Sequence, residues 1–261
     1  MKFIVPLLFV TITASAQEPF RSSWGRDGII FGAGVATAFA ASALDDTLRP
    51  LTREVVAGLD RSAVNRFDRS ATYNYSEASA TASDWLVGIT IGAPLVLLAD
   101  ADVRKGWGTF TLMYLETMTY AAFVPSFAKG PVLRYRPLVY NPDVPFEVKE
   151  RSDPSRSFFS GHTTFAFASA VFLAAVYDRH HRGSRSVPYV WTGALLSAGG
   201  VGYLRYDAGA HYPTDVLVGA VAGTAIGLAI PYLHRNDENS FTAASGGPAP
   251  VPPILTISYP F

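Results

Sequence analysis

Six apolar stretches, separated by polar segments, define the folds open to this sequence. Each is about 15 to 22 residues long, at or just below the roughly 20 residues that a helix needs to cross a bilayer core. They are rich in Ala, Gly and Thr, which let neighbouring helices approach closely. The pattern predicts an all-α fold, a helical bundle of about six core helices that we expect to be membrane-embedded. The stretches cover residues 28–44, 85–99, 107–128, 163–177, 189–204 and 216–233.

The two ends of the chain differ from this helical domain, which we place at residues 17–235. Residues 1–16 have the pattern of a secretory signal peptide: Lys2, an apolar run, then Ala14-Ser15-Ala16 as a small-residue cleavage site. We expect this segment either to be cleaved or to be retained as an anchor. Residues 236–261 form a polar tail with a Gly/Pro-rich run that cannot be helical.

The connection between the first two apolar stretches, residues 45–84, contains five arginines among acidic residues. The spacing of Val55, Leu59 and Val64 predicts an amphipathic connecting helix that lies on the bundle or on the membrane surface.

Composition excludes some classes of site and partner. The 21 basic and 21 acidic residues cancel, which removes the electrostatic argument for a nucleic-acid partner. Since the chain has no cysteine, disulfides, zinc–thiolate sites and iron–sulfur clusters are excluded.

Polar residues cluster at three places that flank the apolar stretches. In an up-and-down bundle, the end of the third helix, the start of the fourth, the end of the fifth and the start of the sixth lie at one end. We therefore expect a single site built from Lys129 and Arg136, then Ser160, Gly161 and His162, then Arg205, His211 and Asp215.

The residue types in these clusters suit a phosphate group. Three cations, Lys129, Arg136 and Arg205, can neutralise several anionic oxygens, and the planar fork of Arg matches phosphate. Ser160 and Gly161 precede a helical run, where free backbone amides and the helix dipole attract an anion. The sequence therefore predicts a phosphate-binding site.

Two histidines provide the reactive groups. His211 and Asp215 are four residues apart with Pro213 between them, so we expect the carboxylate to hold one ring nitrogen and to leave the other free as a nucleophile or base. His162 is then available as a general acid.

Other polar residues have simpler explanations. His180, His181 and His234 stand beside arginines at the opposite helix ends, which is typical of a solvated basic loop. Glu116 lies inside the third apolar stretch, where we favour a structural hydrogen-bonding role over a polar pocket.

Together the clusters resemble the signature of the type 2 phosphatidic acid phosphatase and vanadium haloperoxidase superfamily, Lys-x6-Arg-Pro, Pro-Ser-Gly-His and Ser-Arg-x5-His-x3-Asp. The resemblance covers residues 107–233, and the departures are Phe159 for proline and Leu204 for serine. It implies that His211 attacks phosphorus and forms a phosphohistidine, that Asp215 supports it and that His162 protonates the leaving oxygen. No metal and no other cofactor is expected at such a site.

The expected function is therefore hydrolysis of phosphomonoesters or pyrophosphates, with a phosphorylated lipid as substrate and the membrane as partner. The alternatives are a soluble periplasmic acid phosphatase of broad specificity, a vanadate-dependent haloperoxidase and a non-catalytic phospholipid-binding protein. Basic residues in the loops opposite the site, such as Arg104 and Arg182, predict a bacterial inner-membrane location with the site facing the periplasm. A cleaved signal peptide would reverse that orientation if all six helices span.

Overall fold

The computed structural model describes residues 18–43, 51–151 and 153–236, and confirms the all-α prediction. No strand occurs within these ranges, where the only β-type pairings are two isolated bridges. Both the predicted signal peptide and the Gly/Pro-rich run of the tail lie outside the described residues. The helices are α1 Trp24–Ala43, α2 Arg53–Ala57, α3 Glu77–Gly92, α4 Ala101–Lys105, α5 Trp107–Lys129, α6 Phe146–Arg151, α7 Gly161–His180, α8 Val187–Asp207 and α9 Pro213–Leu233.

Helix α7 forms the centre of the bundle and packs against α3, α5, α8 and α9. Small residues on α9 permit the closest of these contacts. A Cβ atom on Gly223 would lie 2.5 Å from the carbonyl oxygen of Thr164, and one on Gly227 would lie 2.6 Å from that of Ala168. Because α7 and α9 carry site residues at their adjacent N-terminal ends, this contact sets the width of the site.

The predicted amphipathic connection is helical only in short pieces. Among its described residues, α2 is followed by two 3-10 helices, Arg61–Ala63 and Arg69–Tyr73, before α3 begins at Glu77. The side chain of Asp60 accepts a hydrogen bond from the Ser62 amide, and Asn65 and Asp68 bond each other. Such local side-chain bonds compete with a continuous helix, which explains the difference.

Two segments of the described chain, Glu77–Ala99 and Pro213–Leu233, are long and apolar enough to cross a membrane. The first comprises α3 and a 3-10 helix, Ala93–Ala99. Of the predicted core helices, α7 has much of its surface covered by other helices. Large apolar side chains are exposed on the outer helices, among them Trp85, Ile89, Val96, Leu196 and Val221.

At the bundle end away from the predicted site, two sequence-based expectations are wrong. His234 is buried rather than solvated, because residues 18–21 fold over it: the Arg21 amide donates to the His234 carbonyl at 2.9 Å. Glu116 is also fully buried, yet neither of its carboxylate oxygens has a hydrogen-bond partner among the described residues.

Candidate active site

The fold brings all eight predicted site residues to one end of the bundle. Lys129 ends α5, and Arg136 follows in the loop before the 3-10 helix Pro137–Tyr140. Ser160 caps α7, while Gly161 and His162 form its first turn. Arg205 lies in the last turn of α8, His211 in the α8–α9 connection and Asp215 in the first turn of α9.

A tight turn places His211. Gly209 has a φ of 68°, and a Cβ there would lie 2.2 Å from the Asn74 carbonyl oxygen, so only glycine fits. After this turn the chain folds back towards α8, and the His211 amide donates to the Arg205 carbonyl at 3.2 Å. This turn buries the imidazole next to the end of α8.

The ring of His211 is oriented by a backbone carbonyl. Its Nδ1 lies 2.8 Å from the Ser157 carbonyl oxygen, which assigns the proton to Nδ1 and leaves the lone pair on Nε2. Burial lowers the pKa of His211 well below its usual range, and Arg136 and Arg205 act in the same direction. The imidazole is therefore neutral near pH 7, the form that a nucleophile requires.

Asp215 is not the direct hydrogen-bond partner of His211 that we expected. Its Oδ2 lies 3.8 Å from Nδ1, accepts from the Ser157 hydroxyl at 2.6 Å and from the Tyr212 amide at 3.0 Å. The Ser157 hydroxyl donates to Asp215 and the Ser157 carbonyl accepts from His211, so Ser157 connects the two residues. The difference arises because Nδ1 has one hydrogen and the carbonyl is the nearer acceptor.

Two residues that sequence reasoning missed complete this network. Arg134 donates to Asp215 Oδ1 at 2.5 Å and to Asp68 Oδ2 at 2.7 Å. Asp68 is fully buried and also accepts from the Thr214 amide at 3.0 Å. Arg134 could have been noticed as a second arginine in the Lys-x6-Arg segment, but no local pattern marks Asp68.

The three predicted phosphate-binding cations lie close to one another. Burial lowers the pKa of Lys129 to about 8, and Arg136, Arg156 and Arg205 add to this shift while Asp153 opposes it. The Arg136 side chain is held by the carbonyl oxygens of Asp153 at 3.0 Å and Ala210 at 3.3 Å. Such a concentration of positive charge in a partly buried site favours a multiply charged anion.

The start of α7 faces open space. The Ser160 hydroxyl accepts from the Thr163 amide at 3.3 Å, as an N-cap does. Nothing lies within 4 Å of the point where a Cβ on Gly161 would sit, so packing within the described protein does not require glycine there. An anion approaching the helix terminus would use that space.

His162 has a partner that the sequence did not predict. Its Nε2 lies 2.9 Å from Asp84 Oδ1 on α3, and Arg205 Nη1 lies 3.5 Å from the same oxygen. Burial lowers the pKa of His162 to about 4, with Arg205 acting in the same direction and Asp84 opposing it. Asp84 thus links the proposed acid to one of the phosphate-binding arginines.

Comparison with known proteins supports the motif resemblance. Residues 110–238 match the family model described as the PAP2 superfamily, and all eight predicted site residues fall within that range. Over this range, just under half of its length, the chain is similar to the PAP2 superfamily. The resemblance inferred from the three clusters is confirmed.

Two individual proteins are similar to this chain. A probable diacylglycerol pyrophosphate phosphatase 1 from Schizosaccharomyces pombe is 31% identical over 112 residues, which is 39% of this chain and 40% of that protein. The chain thus matches less than half of the relative's length. The crystal structure of a transmembrane PAP2-type phosphatidylglycerolphosphate phosphatase from Bacillus subtilis aligns with 83% of this chain and 98% of its own, at 20% identity and a TM-score of 0.43.

The two departures from the motif, Phe159 and Leu204, have different surroundings. Phe159 is buried, and its ring centroid lies 5.6 Å from that of Phe158. Leu204 replaces a hydroxyl-bearing residue just before Arg205. The Arg205 guanidinium donates instead to the Ser83 hydroxyl of α3 at 3.2 Å.

Proposed function

We propose that this protein hydrolyses phosphomonoesters or pyrophosphates of lipids through a phosphohistidine on His211. The observation that carries the proposal is a buried neutral imidazole with Nδ1 bonded to the Ser157 carbonyl, next to two arginines and an open helix N-terminus. No such arrangement is needed to bind a phospholipid without reaction.

In the proposed first step, Nε2 of His211 attacks phosphorus, and the N–P bond forms as the bond to the leaving oxygen breaks. Lys129, Arg136, Arg205 and the Gly161 backbone amide bind the remaining phosphate oxygens. The Ser160 amide, which we expected to contribute, instead donates to the Asp215 carbonyl at 3.2 Å. The positive charge that develops on the ring is stabilised by the Ser157 carbonyl and, through Ser157, by Asp215.

His162 gives its proton to the leaving oxygen. A bound phosphate dianion raises the pKa of His162, because a nearby opposite charge favours the protonated ring. In the second step His162 takes a proton from water, the oxygen of which attacks phosphorus, and the N–P bond breaks to release inorganic phosphate. No metal ion takes part in this scheme.

A lipid substrate is supported by the apolar outer surface and by the two membrane-length segments, Glu77–Ala99 and Pro213–Leu233. The name of the S. pombe relative points to the same substrate class. We place the site at the periplasmic surface of an inner membrane, since the opposite bundle end carries Arg104, Lys105, Arg182 and Arg185.

The mechanism is tested by rapid quench with ³²P-labelled diacylglycerol pyrophosphate and phosphatidate. An alkali-stable, acid-labile phosphoenzyme is expected, and its absence during steady turnover would contradict the histidine intermediate. Phosphate release from lipid and water-soluble phosphoesters, with and without EDTA, tests the substrate class and metal independence. Greater activity on the soluble esters would favour the broad-specificity acid phosphatase.

Cell fractionation with N-terminal sequencing tests the location. Recovery of the protein with the inner membrane is expected. Recovery of mature protein in the soluble periplasmic fraction, beginning near Gln17, would show the membrane proposal wrong.

A further inference from the structure

A second cluster of titratable groups lies at the end of the bundle away from the active site. It consists of Asp27 in the first turn of α1, Glu116 within α5 and His234 just after α9, with exposed fractions of 8%, 0% and 0%. One ligand atom from each residue lies within 4.8 Å of the others. None of the three belongs to the PAP2 motifs or takes part in the proposed reaction.

The imidazole of His234 is held in the orientation that a metal ligand needs. Its Nδ1 lies 2.9 Å from the Ile230 carbonyl oxygen, so Nδ1 carries the proton and the lone pair is on Nε2. That lone pair faces Asp27 Oδ1 and Glu116 Oε2, each 3.3 Å away. Metal-bound histidines usually have their second nitrogen fixed by a carbonyl or carboxylate in this way.

The carboxylate of Asp27 is also oriented by its neighbours. Its Oδ2 accepts from the Ser23 amide at 2.6 Å and its Oδ1 from Arg26 Nε at 2.9 Å. Carboxylates that bind metals are commonly hydrogen-bonded like this by a surrounding layer of groups. Arg26 forms an ion pair with Asp27 at 2.9 Å.

Glu116 provides an independent indication that this cluster binds a ligand. Both of its oxygens are buried without a hydrogen-bond partner among the described residues, as is Nε2 of His234. A buried carboxylate without compensation is strongly unfavourable, so the pocket must hold either a proton or a cation.

The distances favour a cation over a shared proton. A charge-assisted N–H···O bond is about 2.7–2.9 Å long, whereas Nε2 of His234 is 3.3 Å from each carboxylate. Ligands bound tetrahedrally at about 2.1 Å from a metal lie roughly 3.4 Å apart. The two separations from His234 are closer to the second spacing.

We propose that Asp27, Glu116 and His234 bind one divalent transition-metal ion, with Zn²⁺ as the best fit. One imidazole nitrogen and two carboxylate oxygens form a donor set that suits zinc, and a fourth position remains for water. An all-oxygen ion such as Mg²⁺ or Ca²⁺ would not use the imidazole.

The ion would join three parts of the chain that are distant in sequence. Around the cluster, Phe20 and Arg235 form an isolated bridge, and the Asn236 amide donates to the Pro19 carbonyl at 3.1 Å. A metal ion here would pin the segment before α1 to α5 and to the end of α9. Its binding energy would thereby add to the stability of the folded chain.

The test uses full-length protein without a histidine tag, stripped with chelator and then titrated with Zn²⁺ alone. We expect one Zn²⁺ per chain by mass spectrometry after desalting, and a higher unfolding temperature with Zn²⁺ but not with Mg²⁺. Glu116→Gln should weaken Zn²⁺ binding by about 100-fold. Glu147→Gln is the matched control, because that carboxylate is exposed and pairs with Arg53.

Two outcomes would overturn the proposal. One is that wild type binds less than about 0.1 equivalent of Zn²⁺ per chain. The other is that wild type and Glu116→Gln bind Zn²⁺ equally well. If Glu116→Gln does not fold, wild type titrated with Co²⁺ decides, since Co²⁺ in a tetrahedral site has a strong visible absorption band and octahedral hydrated Co²⁺ a much weaker one. The hydrated spectrum alone would indicate a proton-sharing cluster. These readouts do not depend on phosphatase activity.

Discussion

The two ends of the bundle contain buried carboxylates that differ in their hydrogen bonding. At the end with the candidate active site, both oxygens of Asp68 and of Asp215 accept hydrogen bonds from the protein, with Arg134 between the two residues. At the other end, Glu116 has no such partner within the described chain. The first network is complete without a ligand, while the second is not. A site can therefore be organised either by the chain itself or by what it binds.

The largest effect is expected for His211→Ala, which removes the proposed nucleophile. Phosphate release should fall on the order of 10⁴-fold or more, while the variant stays folded. The matched control is His181→Ala, since His181 pairs with Asp100 far from the site. Substantial turnover by His211→Ala would refute the nucleophile assignment.

The next largest effect is expected for Arg134→Gln, which should lower the stability of the folded protein. It leaves two buried carboxylates without their shared cation, and we expect a loss of about 3 kcal/mol in the free energy of unfolding. Arg53→Gln is the control, because it breaks an exposed pair with Glu147 that water screens. Equal changes in the two variants, measured by denaturant unfolding, would show that Arg134 does not hold the network together.

The contributions of His211 and Asp68 to the free energy of unfolding change in different pH ranges. Because burial lowers the pKa of His211, the unfolded chain takes up a proton near pH ~6.5 and the folded chain does not, so stability falls as pH drops below that value, by up to ~1.4 kcal/mol per pH unit.

Burial alone would raise the pKa of Asp68, but bonds from Asn65, Thr214 and Arg134 outweigh it and lower the pKa. The Asp68 contribution is therefore constant above pH ~5 and is lost only in stronger acid. Between pH 7 and 5, His211→Gln should show a shallower slope than wild type. Identical slopes would mean that His211 is not held neutral.

The smallest effect is expected for Asp84→Asn, because Asp84 is 62% exposed and contacts His162 and Arg205 from the rim. Hydrolysis of an alkyl phosphate should fall by about tenfold or less, and that of p-nitrophenyl phosphate should change little, since its leaving group needs no acid. Equal losses on both substrates would assign Asp84 to phosphate binding rather than to positioning His162.

The sequence predicted which residues lie together where those residues are close in the chain. Lys129 and Arg136, the Ser160-Gly161-His162 run, and His211 with Asp215 each lie within one helix end or one connection. Up-and-down topology then brings these ends together, so local spacing and topology suffice to place these residues at one end of the bundle. The lengths of the apolar stretches predicted the helices in the same way.

The amino-acid sequence by itself determined the helical bundle, the PAP2 motifs and the cations and histidines of the site, because each is encoded by local composition or spacing. Only the tertiary structure decided which buried groups have partners. Arg134 donates a hydrogen bond to Asp68, 66 positions away in the sequence, and Asn74 donates one to the Tyr206 carbonyl, 132 positions away. His234 meets Asp27 and Glu116 in the same long-range way. Such contacts depend on how helix faces pack together, which no local periodicity records.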